Sequence, residues 1–469
     1  MDKEYDIAII GAGPGGYVAA IRAAQLRKKV LLVEKNELGG TCTNWGCIPT
    51  KFLLQQTKKF NEAKTNKNLE GPINEIKCNW EKIQTEKSQK VAHLVKGIDF
   101  LLKNNGVDTI RGEASLIDGM KIVIQDKKKE KTIRAKKIIL ATGSRPAELP
   151  FLKRDGDKIL NSTDALALIE IPRRLLVIGA GAIGLEIGII FQRLGTEVTI
   201  LEILPQILPG NDKGICNRLE RILKRTGIKI YTGMKIKEGV KNENQVFLKG
   251  ICLKDNSVFK YGAEKVLLAV GRIPVTEICQ KNSRGFLFDK AGFVKVDAYL
   301  RTNVPGILAI GDLIGGKLLA HKAYHEGIIA VENAFGAKKR VSDRALPMAV
   351  FTEPEFSSVG LTEQEAKKKN EKVKVGLFSL QANGRALTMG SQEGMIKVIA
   401  DAQKRIVGAH ILAPYASELI LEMTIAVEKK LVLQDVASLI HIHPTISEAL
   451  KEAAMNAENK AIHTLSKRE

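Results

Sequence analysis

Tyr5-Asp6-Ile7-Ala8-Ile9-Ile10-Gly11-Ala12-Gly13-Pro14-Gly15-Gly16 opens the chain with an apolar run that turns at once on closely spaced glycines. An Ala-rich stretch over residues 17–26 has helical character, and a second apolar run over 29–33 ends in Glu34. Strand, tight turn, helix and strand in this order form a dinucleotide-binding unit. In such a unit Gly11 permits the tight turn, Gly13 lets the backbone approach a pyrophosphate, and Gly16 lets helix and strand pack closely. The helix N-terminus then faces the phosphates. Glu34 stands roughly 20 residues past the first glycine, where a carboxylate binds ribose hydroxyls.

The same unit recurs. A strand at 174–178 runs into Gly179-Ala180-Gly181-Ala182-Ile183-Gly184, a helix at 185–194 follows, and the next strand ends in Glu202. Gly179, Gly181 and Gly184 take the three glycine roles. One such turn alone is a weak signal, but both copies carry the full strand and helix context. The duplication implies two dinucleotides, or one nucleotide and a decoy. A carboxylate at Glu202 repels a 2′-phosphate, so the second unit is expected to prefer NAD over NADP.

Each unit closes on a matching apolar strand and glycine, Ile138 to Gly143 in the first and Val266 to Gly271 in the second. Residues 112–137 alternate apolar and polar side chains, which predicts antiparallel strands inserted into the first domain. From residue 346 the pattern changes to strands at 373–379, 395–400 and 406–412, with helices at 417–430, 433–439 and 446–456. The expected fold is α/β, with two Rossmann-like dinucleotide-binding domains and a C-terminal α+β domain. The expected boundaries are 1–148, 149–273, 274–345 for a central region, and 346–469.

Composition narrows the function. Hydrophobic residues make up 44% and charged residues 27% of the 469, a globular rather than disordered balance. The net charge of +21 is spread along the chain in short Lys-rich loops. No basic stretch is studded with aromatics, so nucleic acid is not an expected partner; a solvated Lys-rich surface with some attraction for acidic partners is. No apolar run is long enough to span a bilayer and no signal or transit pattern precedes the first strand, so no membrane role and a cytoplasmic location are expected.

Six cysteines do not make a disulfide scaffold in a chain this long. Cys78, Cys216, Cys252 and Cys279 are scattered and read as packed or surface thiols. Cys42 and Cys47 differ, because Gly39-Gly40-Thr41-Cys42-Thr43-Asn44-Trp45-Gly46-Cys47-Ile48-Pro49-Thr50-Lys51 directly follows a nucleotide-binding unit. Five residues along a regular helix separate Cα atoms by about 8–9 Å, beyond the roughly 7 Å that a disulfide tolerates. If the two bond, the helix starts late or is distorted, and Gly46 and Pro49 make that cheap. Ligands for a zinc site are not supplied nearby, so no metal is expected. A reversible disulfide is preferred over two inert thiols. Near the C-terminus, His443 is a candidate general base and Glu448 a candidate partner for its far ring nitrogen.

The cysteine segment resembles the active-site signature of the pyridine nucleotide-disulfide oxidoreductases, a flavoenzyme family, and the resemblance runs in order along essentially the whole chain. It implies one non-covalent FAD per subunit at the first unit, with NAD as co-substrate at the second. Ala309-Ile310-Gly311-Asp312 resembles the family's second FAD motif, in which Asp312 would hold the ribityl and phosphate region. Leu319-Ala320-His321-Lys322-Ala323 resembles the stretch beside the flavin pyrimidine, which puts Ala320 at the flavin; Gly143 and Gly271, which close the two units, are further candidate cofactor-binding residues. His441 to Glu448 resembles the C-terminal catalytic motif, with His441 as packing. That motif reaches the other subunit's disulfide in the family, so the resemblance implies a homodimer with shared active sites. It further implies an ion pair of Lys51 with Glu186 near the flavin, Cys42 as the sulfur that meets substrate, and Cys47 as the sulfur that meets flavin.

Within the family, Glu202, Gly184 and Ala182 favour the dihydrolipoyl dehydrogenase branch. The expected substrate is then a dihydrolipoyl group on a 2-oxo acid dehydrogenase complex or a glycine cleavage protein. The tail, residues 465–469, lacks the cysteine pair of mercuric reductases. Trp45 and Thr50 replace residues that are more often Val and Ser, which bears on the substrate pocket. Two alternatives are an NAD(P)H-dependent reductase of a low-molecular-weight disulfide, and a non-catalytic flavoprotein that serves as a binding subunit.

Overall fold

A computed structural model describes residues 4–72, 75–117, 120–126, 129–280, 285–369 and 372–465. Residues 466–469 of the tail and part of the Lys-rich loop at 126–131 lie outside them. The chain forms two compact units, one of Met1–Leu149, Asn161–Glu170 and Val270–Val341, the other of Pro150–Leu160, Ile171–Ala269 and Ser342–Glu469.

In the first unit, strands Asp108–Arg111, Val30–Glu34, Glu4–Ile10 and Lys129–Leu140 pair in parallel in that order, and Ile307–Ala309 lies beside the last. The segment expected to form a central region thus adds a strand to the first sheet. The strand Lys129–Leu140 serves two ladders. Its second half is parallel to Glu4–Ile10, while its first half is antiparallel to Lys121–Asp126, which pairs in turn with Glu113–Ile117. Both faces of the sheet are covered, which explains why its strands read as unbroken apolar runs. Alternate side chains go to opposite faces. Ile7, Ile9, Leu32 and Ile139 meet Ala19, Ala20 and Ala23 of a helix, whereas Ala8, Ile10, Leu31 and Ile138 meet Leu116, Ile122 and Ile133.

That helix is Pro14–Gln25, three residues earlier than the sequence pattern suggested. Gly13 is its N-cap and Pro14 its first residue, a position where the missing N–H costs nothing. Gly16 therefore lies inside the first turn, where a Cβ would stand 1.8 Å from the Gly11 carbonyl oxygen. In the second unit the helix likewise starts early, as Ala182–Arg193 with Gly181 as N-cap.

The second unit holds a five-stranded parallel sheet in the order Lys229–Thr232, Glu197–Glu202, Arg174–Ile178, Lys265–Leu268, Ile159–Leu160. A three-stranded antiparallel sheet, Met234–Lys241, Val246–Cys252 and Val258–Ala263, stands where the first domain has its inserted strands. The C-terminal part is a five-stranded antiparallel sheet in the order Met348–Val350, Glu355–Gly360, Ile406–Ala413, Met395–Ala400, Lys374–Ser379. Helices Ala416–Lys429 and Glu448–Asn456 close its core, in which Phe378, Ile396, Val398, Ile411, Met423 and Leu450 are buried. An ionic knot joins this sheet to the nucleotide fold. The Lys397 ammonium lies 2.8 Å from Asp212, the N-cap of helix Lys213–Arg225, and 2.7 Å from Glu363. Among the described residues no helix is long and apolar enough to cross a membrane.

Candidate active site

The two glycine turns have the same internal wiring. Glu34 accepts the Ala12 N–H at 2.6 Å through one oxygen and the Asn36 N–H at 2.8 Å through the other. Glu202 accepts the Ala180 N–H at 2.7 Å and the Leu204 N–H at 2.9 Å. Each carboxylate thus fastens the glycine turn to the chain just past its own strand, in addition to the ribose role expected of it. At Gly11 and Gly179 the backbone is left-handed, with φ of +101° and +104°. At Gly13 and Gly181 it is extended, and no protein atom stands within 4 Å of where a Cβ would be. The first and third glycines are therefore required by the protein itself, whereas the second leaves bare backbone facing open space at a helix N-terminus. A pyrophosphate fits that arrangement. Gly143 and Gly271 face open space in the same way.

Gly311-Asp312 begins a short 3-10 turn, and the Gly311 N–H donates to buried Glu326 at 2.7 Å. Glu326 is itself held by Lys322 at 2.6 Å, so these two buried charges of helix Ala320–Ala334 neutralise each other. Ala320 is the first residue of that helix. Asp312 accepts a hydrogen bond from the Ser144 hydroxyl. Arg272 donates to the Ser144 hydroxyl and to its carbonyl, both at 2.7 Å, and lies 3.8 Å from Asp312. The residues after Gly143 and Gly271 are thereby locked to Asp312. Ser144 and Arg272 were not among the expected site residues. Their signal is the pair of matching strand ends, in which Ser follows one glycine and Arg the other.

Cys42 lies in the short helix Gly40–Trp45, and Cys47 is the first residue of helix Cys47–Thr65. Gly46 breaks the path between them with φ −134° and ψ −106°, the distortion that the spacing demanded. The cysteines are two thiols, the reduced counterpart of the expected disulfide. The hydrogen bond to Cys47, burial and the neighbouring sulfur's charge all push the Cys42 thiol well up, while Lys51 opposes them. Cys42 therefore keeps its proton, and the thiol at the helix end is Cys47. Its place at a helix N-terminus favours the thiolate, and Arg272 is within electrostatic reach of it. Thr50 donates back to the Gly46 carbonyl at 2.6 Å, which tightens the turn that carries Cys47.

Two tyrosines that the sequence did not single out stand near the pair. The Tyr17 hydroxyl donates to that of Tyr324 at 3.2 Å, with the rings edge to face. Burial, Tyr17 and the charges of both cysteines push Tyr324 upward, so it stays protonated.

In the second unit, His443 Nδ1 stands 3.0 Å from a Glu448 oxygen, and the other oxygen accepts the Thr445 N–H at 2.8 Å. Burial raises the Glu448 carboxyl, but Thr445 and His443 outweigh it and hold the group below its ordinary range. The carboxylate thus fixes the proton at Nδ1 and leaves Nε2 as the basic atom. The His443 side chain is 79% exposed and follows Ile440 and Ile442, also strongly exposed. His441 by contrast is buried against Glu422 at 3.3 Å, as expected of a packing residue. Glu186 is buried and accepts the Phe351 N–H at 3.0 Å. Lys51 belongs to the first unit and Glu186 to the second. Among the described residues no three His, Cys, Asp or Glu side chains gather as a metal-binding group.

Residues 5–327 match the family model of the pyridine nucleotide-disulphide oxidoreductases, and residues 346–454 match that family's dimerisation domain. The chain is 42% identical over 470 residues to a dihydrolipoyl dehydrogenase of Thermus scotoductus, covering 99% of this chain and 100% of that one. It is 41% identical over 466 residues to the mitochondrial dihydrolipoyl dehydrogenase of Schizosaccharomyces pombe, covering 98% and 91%. Among solved structures, LpdA of Mycobacterium tuberculosis is similar with a TM-score of 0.87 at 26% identity, covering 96% and 98% of the two chains. The HOCl-induced flavoprotein disulfide reductase RclA of Escherichia coli is similar with a TM-score of 0.85 at 27% identity, covering 96% and 99%. Two nucleotide turns, a thiol pair at a helix break and a His–Glu pair meet in one chain that matches over nearly its full length, and the chain belongs to the pyridine nucleotide-disulphide oxidoreductase family.

Proposed function

We propose that the chain is an FAD- and NAD-dependent dihydrolipoyl dehydrogenase, acting as a homodimer on a lipoyl group carried by a 2-oxo acid dehydrogenase complex or a glycine cleavage protein. The observation that carries this reading is the asymmetry of the thiol pair. Cys47 stands at a helix N-terminus, while burial and the hydrogen bond to Cys47 hold the proton on Cys42. The kinship with dihydrolipoyl dehydrogenases at 41–42% identity supports the substrate.

In this reading His443 of the partner subunit accepts a proton at Nε2 from a dihydrolipoyl thiol. The resulting thiolate attacks Cys42, the Cys42–Cys47 bond breaks, and Cys47 leaves as a thiolate. The second substrate thiol then attacks the mixed disulfide and releases the lipoyl disulfide; its proton passes to the departing Cys42 sulfur, while His443 holds the proton of the first thiol. Gly13, Glu34, Gly143, Asp312 and Ala320 hold FAD, and Gly181, Glu202 and Gly271 hold NAD. FAD, when bound, supplies the two-electron relay between the cysteine pair and NAD. The strong exposure of His443 in a single chain supports its use by a second subunit.

The test is a direct comparison of substrates. Purified protein should reduce NAD with dihydrolipoamide, turn over oxidised glutathione at a far lower rate, and use NADH in preference to NADPH. Faster turnover of oxidised glutathione than of lipoamide would move the chain to the small-disulfide reductases.

A further inference from the structure

The positive charge of this chain is not evenly shared. Residues 346–469 contain 15 Lys or Arg and 15 Asp or Glu, so the whole excess of +21 resides in residues 1–345. The dimerisation domain is electrically neutral, and the domains that carry the cysteines and nucleotide turns are basic.

Part of that charge is tied to the cysteine helix. Helix Cys47–Thr65 packs against helix Trp80–Asn104. Lys59 and Lys64 on the first, and Lys82, Lys90 and Lys96 on the second, are all exposed. None of these five lies within salt-bridge distance of a described carboxylate. The acids that could neutralise the surface are partly engaged elsewhere, Glu62 with Lys58 and Asp99 with Lys103. Lys59 and Lys64 lie about 18 Å and about 25 Å along the helix from Cys47. Those distances exceed the Debye length of about 8 Å in physiological salt, so a small neutral dithiol at Cys42 is indifferent to these lysines. A protein domain that delivers the dithiol on a long arm is not, because its own surface comes to rest where the lysines are.

We propose that the exposed face of helices Cys47–Thr65 and Trp80–Asn104 is the docking surface for an acidic carrier domain that presents the dihydrolipoyl arm to Cys42. This rests on the dihydrolipoyl dehydrogenase reading and deepens it, since it states the charge of the protein that bears the substrate. The lysines attract the carrier before contact and raise the association rate, as complementary fields do.

The experiment uses the FAD-loaded full chain and two probes, an acidic lipoylated domain and free dihydrolipoamide. For the acidic domain kcat/KM should fall about tenfold or more between about 20 mM and about 500 mM NaCl, while that for dihydrolipoamide changes by less than about twofold. Lys59→Glu, Lys64→Glu and Lys90→Glu together should lower the low-salt kcat/KM for the acidic domain about tenfold and leave dihydrolipoamide unchanged. The corresponding Gln variants should give a smaller loss in the same direction. The dissociation constant of the oxidised lipoylated domain should weaken with salt and with the substitutions in parallel, a readout independent of turnover. A carrier whose binding and kcat/KM ignore both salt and charge reversal would overturn the proposal, as would a DNA oligonucleotide of similar charge that binds equally well. Failure to oxidise dihydrolipoamide overturns the activity instead, with the binding data still deciding the docking surface.

Discussion

Cys42 hydrogen-bonds to Cys47 across a break between two helices, and the break is Gly46. A Cβ at Gly46 would stand 2.9 Å from the Thr41 carbonyl oxygen and 3.4 Å from its methyl group. Gly46→Ala should therefore push the two short-range partners apart without touching either sulfur. We expect kcat with dihydrolipoamide to fall by about tenfold to a hundredfold, in line with small misplacements at reacting centres, and KM for NAD to stay within about twofold. Steady-state kinetics check this, and an unchanged kcat would show that the geometry of the break is not limiting. Cys47→Ser and Cys42→Ser should each abolish the dithiol reaction outright.

The His443–Glu448 pair predicts a pH effect. The Glu448 carboxyl is held below its ordinary range by Thr445 and His443, against the effect of burial. A depressed acid contributes above its unfolded value, and the contribution disappears as pH falls through the lower folded one. Glu448 is thus a carboxylate throughout the neutral range, and in the proposed mechanism it would stabilise the imidazolium of His443. In Glu448→Gln the acid limb of kcat/KM for dihydrolipoamide should move to lower pH, with a loss of about tenfold to a hundredfold at neutral pH. His443→Gln should lose about a hundredfold to ten-thousandfold. Ferricyanide reduction by NADH, which bypasses the proton at the dithiol, should be unaffected in both. A parallel loss of the ferricyanide activity would assign the pair to structure rather than to proton transfer.

The buried Lys397–Asp212–Glu363 knot predicts how the molecule fails in acid. Burial pushes the Asp212 carboxyl up, but Lys397, His410 and the Ile215 N–H outweigh it and hold it down. Its stabilising effect is therefore complete above the unfolded value and lost as pH falls through the depressed one. Lys397→Ala should cost about 3–5 kcal/mol by leaving buried carboxylate unpaired. Thermal melts should show a smaller drop in Tm between about pH 4 and about pH 2 for Asp212→Asn than for the unaltered protein. An equal drop in both would exclude Asp212 as the acid-sensitive group.

What could be read from the sequence was local. The glycine turns, the cysteine spacing and the His–Glu step each lie within a few residues of one another, so their geometry follows from standard turns and helices. The helix starts at Pro14 and Ala182 were placed late because Gly16 and Gly184 look like turn residues, yet they are required inside the first helical turn by the carbonyls of Gly11 and Gly179. Strand Glu355–Gly360 was invisible because Ser357 and Ser358 interrupt its apolar pattern. Both are buried, their hydroxyls bonded to the Ala416 carbonyl and to Asn211. The Ser144–Arg272–Asp312 lock and the Asp212–Lys397 pair join residues 40 to 185 positions apart, and no periodicity in a single chain encodes such contacts.

The two second glycines offer the sharpest separation of cofactor from fold. Gly13 has φ −66° and ψ −175°, and Gly181 has φ −76° and ψ −176°, conformations open to alanine. Neither has a protein atom within 4 Å of a Cβ position, whereas at Gly16 and Gly184 a Cβ would stand 1.8 Å and 2.0 Å from a carbonyl oxygen. Gly13→Ala and Gly181→Ala should therefore fold, and Gly16→Ala and Gly184→Ala should fold poorly or not at all. In the proposed assignment the methyl group at Gly13 would occupy the approach that FAD pyrophosphate needs, so this variant should be recovered with little or no flavin absorbance. In the same proposed assignment the methyl group at Gly181 would meet NAD alone. That variant should retain its FAD, its yellow colour and its thermal stability, while KM for NADH rises about tenfold. Loss of flavin from Gly181→Ala with retention in Gly13→Ala would reverse the assignment of the two turns, and the wavelength scan of each purified protein is enough to decide.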